Sequence, residues 1–229
     1  MKKITLLAIL FCFLWATGAW ATPYNGTTSL NSTTAWDDAT FSWEVEETGS
    51  NWKYTYTFED SNNTGSIKDL SNLIIQVSDS FNSTNIKKYS SDEDGFDSHE
   101  LGTYDNGTNA YPGLPSSIYG VKAEYNSTNP VEFWIESDRS PMWGDVYMKD
   151  GTYKEKNEEK EDVCAYNEGY GLQPSITFNS TSSYGGEYKW ALVPDTDTAP
   201  VPEPSTMLLL GSGLIGVAAL GRKKFMKRS

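Results

Sequence analysis

Trp52-Lys53-Tyr54-Thr55-Tyr56-Thr57-Phe58-Glu59 sets an aromatic ring at every second position and a polar residue at each position between. In an extended chain, alternate side chains point to opposite faces. Trp52, Tyr54, Tyr56 and Phe58 then line one apolar face, and Lys53, Thr55, Thr57 and Glu59 line a wet one. A helix would scatter the same rings around its axis. Working outward, Phe41, Trp43 and Val45 alternate with Ser42, Glu44 and Glu46. The pattern recurs at Leu73, Ile75 and Val77, at Val121, Ala123 and Tyr125, and at Val131, Phe133 and Ile135. Shorter versions occur at Val146 and Met148, at Ile176 and Phe178, and at Tyr188, Trp190 and Leu192. Clusters of Gly, Asn, Ser, Asp and Pro separate these runs, the residues that turns favour. Short strands at such spacing predict an all-β body, a single antiparallel β-sandwich or jelly-roll-like domain over residues 22–194. The charged run at 154–162 has no apolar face and reads as a solvated loop.

The two ends are of another kind. Residues 1–21 give a positive start at Lys2 and Lys3, an apolar run over 4–15, and the small-x-small site Ala19-Trp20-Ala21. That is the build of a secretory signal peptide, and it implies an export translocon and a signal peptidase as partners. At the other end, Pro202-Glu203-Pro204 closes a Pro/Asp/Thr linker over 195–204. An uncharged stretch follows, with Met207, Leu208, Leu209, Leu210, Leu214, Ile215, Val217 and Leu220, and then five cations, Arg222, Lys223, Lys224, Lys227 and Arg228. Basic residues beside an apolar run stay on the cytoplasmic side, so residues 205–229 read as a short transmembrane helix with a basic stop. Its apolar core of about 14–16 residues spans roughly 21–24 Å as a helix. That is short of a bilayer core of about 30 Å, which suits a transient stay in the inner membrane.

The triplet, the short Gly-rich apolar segment and the terminal cations together resemble the PEP-CTERM sorting signal of Gram-negative bacteria. The resemblance implies processing near the triplet by an exosortase-type enzyme, then delivery to the cell surface or an exopolysaccharide matrix. The same segment also goes by the label of an ice-binding C-terminal domain. The body lacks the repeated threonine array that such a label implies, since only Thr55 and Thr57 share one strand. Within the tail, Gly211 to Gly216 spells G-x-G-x-x-G, but no βαβ unit can surround it there. Small residues that let a membrane helix pack closely explain it better. In the body, residues 52–58, 67–81, 140–151 and 165–170 resemble blocks shared by a group of PEP-CTERM proteins, among them a tryptophan-glycine-aspartate phrase at Trp143-Gly144-Asp145.

Charge and composition narrow the function. Residues 22–201 keep 11 of the 18 Lys and Arg and 30 of the 31 Asp and Glu, a net charge of −19. Nucleic acid is excluded as a partner, because its phosphates require a basic footprint. One cysteine, Cys164, remains, so no internal disulfide forms; the thiol is either a small buried residue or a site of intermolecular pairing. The sole histidine, His99, gives a triad or a multi-histidine metal centre little to draw on. Acid pairs such as Asp37 with Asp38 or Glu44 with Glu46 are common in so acidic a body. Seven N-x-[ST] sequons occur, at Asn25, Asn31, Asn62, Asn82, Asn106, Asn126 and Asn179. Asn62 and Asn126, each with an acid two residues earlier, are the candidate glycosylation sites. Asp92, Asp94 and Asp97 are candidate calcium ligands around Gly95, in an incomplete EF-hand pattern. Six tryptophans lie in the body, and Trp134 sits by alternation on the wet side between Glu132 and Glu136, where a flat ring can stack on a sugar.

The sequence therefore predicts an exported, non-enzymatic structural or interaction protein of the cell surface or exopolysaccharide matrix, with no cofactor. A carbohydrate-binding module is the alternative and a glycan-active enzyme the third reading.

Overall fold

The aromatic stretch forms the middle of a sheet. In the computed structural model, which describes residues 23–60, 70–90, 96–127, 131–153, 160–174, 177–179 and 184–194, it is strand β4 (Asn51–Asp60), paired along its length with β3 (Ala39–Thr48). The two strands are joined through Gly49, whose φ of +76° supplies the positive value that tight hairpins demand. Two short strands, β1 (Tyr24–Thr28) and β2 (Leu30–Ser32), precede the hairpin. After it come β5 (Leu70–Gln76), β6 (Ile86–Tyr89), β7 (Phe96–Tyr104), β8 (Ile118–Ser127) and β9 (Val131–Ser137). The chain continues through β10 (Pro141–Gly144), β11 (Val146–Tyr153), β12 (Glu161–Asn167), β13 (Glu187–Tyr188) and β14 (Ala191–Pro194).

One six-stranded sheet has the order β13-β1-β3-β4-β9-β6, the other β2-β12-β11-β5-β8-β7, and β10 pairs with β14 alone. All pairings are antiparallel except β1 with β13. The inner faces meet in one core. Phe41, Trp43, Tyr54, Tyr56, Phe58, Phe133 and Ile135 come from the first sheet; Leu73, Ile75, Val121, Ala123, Val146, Met148, Val163 and Ala165 come from the second. The all-β expectation holds, with a sandwich-like packing of two sheets.

Several local expectations change. Leu73 and Ile75 face the core as predicted, but Ile74, on the supposed wet side, is buried as well. The segment 105–117 folds over the outer face of the second sheet and builds a smaller apolar cluster there, with Ile74, Tyr104, Leu114, Ile118, Tyr147 and Cys164. It is tied down at intervals. The Tyr147 hydroxyl donates to the Pro112 carbonyl (2.6 Å), Lys149 Nζ to Ala110 O (2.6 Å), and the Tyr170 hydroxyl to Ser116 O (2.9 Å). The run predicted as a strand through Tyr188, Trp190 and Leu192 is two strands in different sheets. Trp190 lies between them and donates its indole N–H to Gly169 O at 3.0 Å. Phe178 belongs to no strand; its ring packs on Tyr24 (5.2 Å) and stacks on Tyr184 (5.6 Å). Glu161 and Asp162, at the end of the run read as a loop, open strand β12.

Cys164 lies under that covering segment, 5 % exposed and free of any disulfide. A Cβ on Gly113 would stand 2.5 Å from its sulfur, so glycine there lets the backbone close over the thiol. Burial, with Asp162 and Glu161 adding to it, pushes the thiol up to about 11. A neutral, covered thiol is a poor nucleophile. Native protein is therefore expected not to react with Ellman's reagent in mildly alkaline buffer and to release one equivalent per body cysteine once urea is added. Fast reaction of the folded protein would show that the cover opens.

Candidate functional site

The wet face of the first sheet carries an ordered array of polar groups. Strand register sets side chains in rows across it. Thr27 of β1 lies beside Ser42 of β3, which lies beside Thr57 of β4, beside Glu132 of β9. The adjacent row runs Asn25, Glu44, Thr55 and Trp134. The third runs Glu46, Lys53, Glu136 and, on β6, Lys88. The first two rows, all but Trp134, line an open groove of 390 Å³. Trp134 is half-buried at one side of these rows, with Lys53 Nζ 5.4 Å from its ring centroid, within reach of a cation–π contact.

Charge on this face is unevenly satisfied. In the third row Lys88 pairs with Glu136 at 2.8 Å, and Lys53 approaches Glu46 at 3.8 Å. Asn51 also donates to Glu136 Oε1 at 2.8 Å. Glu44 and Glu132, in the groove, and Glu59, two residues beyond Thr57, are exposed, and their carboxylates have no hydrogen-bond or ion-pair partner among the described residues. Hydrogen bonds from Lys88 and Asn51 hold the Glu136 carboxyl below the ordinary glutamate value of 4.5. A carboxyl lowered in the folded state stabilises the fold above its unfolded value. That contribution is lost as pH falls through the lowered folded value. Glu136→Gln is thus expected to cost about 1 kcal/mol or less at neutral pH and to flatten the acid limb of a stability–pH profile from urea melts. An unchanged acid limb would show that Glu136 carries none of it.

A second polar arrangement lies at the other end of the molecule's chemistry, buried rather than open. Asp145, between β10 and β11, is 7 % exposed. Its Oδ1 accepts from the Asn167 amide and its Oδ2 from the Gly171 N–H, each at 2.9 Å. Its own N–H donates to Gln76 Oε1 (2.8 Å), and its carbonyl accepts from the Gln76 N–H (2.9 Å). The same Asn167 accepts from the Val146 N–H through Oδ1 and donates to Lys189 O, both at 2.9 Å. Burial pushes the Asp145 carboxyl up, opposed by the Gly171 and Asn167 hydrogen bonds. With both oxygens already accepting, Asp145 fastens its own segment to Gln76, Asn167 and Gly171 rather than presenting a base. It belongs to the tryptophan-glycine-aspartate phrase, whose role in the fold the sequence did not disclose.

The other sequence-predicted residues fall as follows. The sorting residues Pro202, Glu203 and Pro204, the apolar segment and the basic tail lie outside the described residues, as do the signal segment, Asn62, Asp92 and Asp94. Asp97 stands on β7 and Asn126 on β8. Among the described residues no group of His, Cys, Asp and Glu is arranged to hold a metal ion, and no helix is long and apolar enough to cross a membrane. His99, on β7, packs its ring 4.1 Å from that of Tyr89 on β6, across the two sheets, and burial lowers its pKa. Asn25, Asn31, Asn82, Asn106 and Asn179 are all exposed. The groove itself was missed by sequence reading. Trp134, Thr55 and Thr57 were visible, but their alignment with Thr27, Ser42, Glu44 and Glu132 depends on which strands pair.

Compared with known proteins, residues 200–224 match the family profile of the PEP-CTERM protein-sorting motif, and the ice-binding label gains no support. Neither a curated protein nor a solved structure matches the chain. The chain thus carries the PEP-CTERM protein-sorting motif, which implies export, processing at the membrane by an exosortase-type enzyme and delivery to the cell surface.

Proposed function

We propose that this protein is a non-enzymatic structural or interaction component of the cell surface or exopolysaccharide matrix, released to its place through the C-terminal signal. The observation that carries the reading is the sorting motif at residues 200–224. The body's net charge of −19 and its open polar sheet face are consistent with work done by surface contact. A second reading, a carbohydrate-binding module, is favoured by one feature: the half-buried Trp134 beside two rows of hydroxyl, amide and carboxylate groups.

The test is made in the host cell. The wild-type protein is expected in the surface or extracellular fraction, with an intact mass shortened at both ends. A variant with Pro202, Glu203 and Pro204 all changed to alanine is expected to stay with the membrane at its longer mass. Wild-type protein found soluble in the cytosol with both ends intact, or a variant distributed like the wild type, would overturn the reading.

A further inference from the structure

We infer that the groove on the first sheet binds a cationic amino-sugar polysaccharide, one whose repeating units carry protonated primary amines. This rests on the reading of the protein as a surface or matrix interaction component and names the partner of that role.

Charge is the first argument. Glu44, Glu59 and Glu132 stand on three neighbouring strands around Thr55 and Thr57, unpaired among the described residues, whereas Glu46 and Glu136 on the same face have lysine partners. Strands lie about 4.8 Å apart and residues about 3.4 Å apart along each, which places the Glu59 and Glu132 backbones roughly 8 Å from each other and those of Glu44 and Glu132 roughly 12 Å apart. Three anions at that spacing repel one another. A ligand with regularly spaced ammonium groups relieves the repulsion, and a polyanion adds to it. The net charge of −19 extends the same preference to long range by steering cations toward the body.

The neutral groups select among cations. Between and beside the carboxylates lie the hydroxyls of Ser42, Thr55 and Thr57 and the amide of Asn25, donors and acceptors suited to sugar hydroxyls. Beside the groove, the half-buried Trp134 offers a ring on which a pyranose can stack. Lys53 Nζ stands 5.4 Å from that ring's centroid, so a sugar that stacks there displaces this ammonium, and the ligand's own amines pair with the carboxylates instead. A basic peptide would gain from the carboxylates alone and would make little use of the hydroxyl rows.

The experiment uses the full-length chain in a polyoxyethylene detergent, titrated in mildly acidic buffer with glucosamine hexamer, its N-acetylated counterpart and a lysine hexamer. Glucosamine hexamer is expected to bind at least about tenfold more tightly than either of the others. The double variant Glu44→Gln with Glu132→Gln, and separately Trp134→Ala, are each expected to weaken it about tenfold. A control with the same charge change on the other sheet, Glu161→Gln with Asp162→Asn, is expected to bind within about twofold of wild type. Melting curves establish that each variant is folded. Four results overturn the inference: no binding of glucosamine hexamer by the wild type, equal binding of the acetylated hexamer, equal binding of the lysine hexamer, or equal loss in both double variants, which would mean non-specific attraction between polyelectrolytes. Surface delivery of the same variants is scored separately. Normal delivery without binding sinks this inference alone, whereas failed delivery of the wild type sinks the reading beneath it.

Discussion

Trp43→Ala is expected to destabilise the body by about 3–5 kcal/mol, the range for removing a large aromatic from a packed core. Trp43 is 2 % exposed on β3, flanked in register by Gly26 and Tyr56. Its ring meets Trp143 edge-on at 5.6 Å and 81°, and Tyr188 at 5.7 Å. The neighbouring strand is shaped to admit it, since a Cβ on Gly26 would lie 2.6 Å from the ring. The gap left by alanine would be walled by aromatic rings on both sides and would close poorly. Trp43→Phe gives a discriminating contrast. The indole N–H of Trp43 is buried without a hydrogen-bond partner, so phenylalanine forfeits volume and no polar contact. Urea unfolding followed by far-UV circular dichroism should show Phe well above Ala in stability, with Ala lowered in Tm by roughly 10 °C. Equal losses would mean that the indole N–H has a partner in solution.

Asp145→Ala carries the second large effect, about 3 kcal/mol or more, because it removes a buried acceptor from two N–H donors that have nowhere else to turn. Asp145→Asn should not rescue it. An amide has a single acceptor oxygen, and its NH₂ would face either the Gly171 N–H or the Asn167 amide, donor against donor. The loss should also spread. Asn167, once unsupported, is the residue that holds the Val146 N–H and the Lys189 carbonyl, so protection of the Val146 and Gly171 amides against hydrogen exchange should fall together. Asparagine matching aspartate in stability would remove Asp145 from the role assigned to it.

How much of this was legible in the chain depended on locality. Strands β3, β4, β8 and β9 could be read because each carries its own alternation, from Phe41 and Tyr56 to Phe133, and alternation is a property of one segment. Strands β1, β2, β6 and β7 could not. Their residues, such as Tyr24-Asn25-Gly26-Thr27-Thr28 and Ile86-Lys87-Lys88-Tyr89, are the turn formers and lysines that also fill loops, and neighbours alone hold them extended. Ile74 was misplaced for a related reason. Its burial comes from Tyr111 and Leu114, nearly forty residues downstream, folding over the sheet. The groove was hidden likewise. Glu44 and Glu132 stand 88 positions apart, and only β4, lying between their strands, brings them to one face.

The pairing of β1 with β13, and the bond from the Thr28 hydroxyl to Trp190 O across 162 positions, set a timetable for the protein's life. The first six-stranded layer needs β13 and the β10–β14 ribbon needs β14, so neither is complete until residues 187–194 join, whereas the second layer needs nothing beyond β12; contacts this distant form slowly. Seven residues separate Pro194 from Pro202, a leash of at most about 25 Å when fully drawn out. The sorting motif implies processing at the membrane, and a body held there by that segment would finish folding within about that distance of the bilayer.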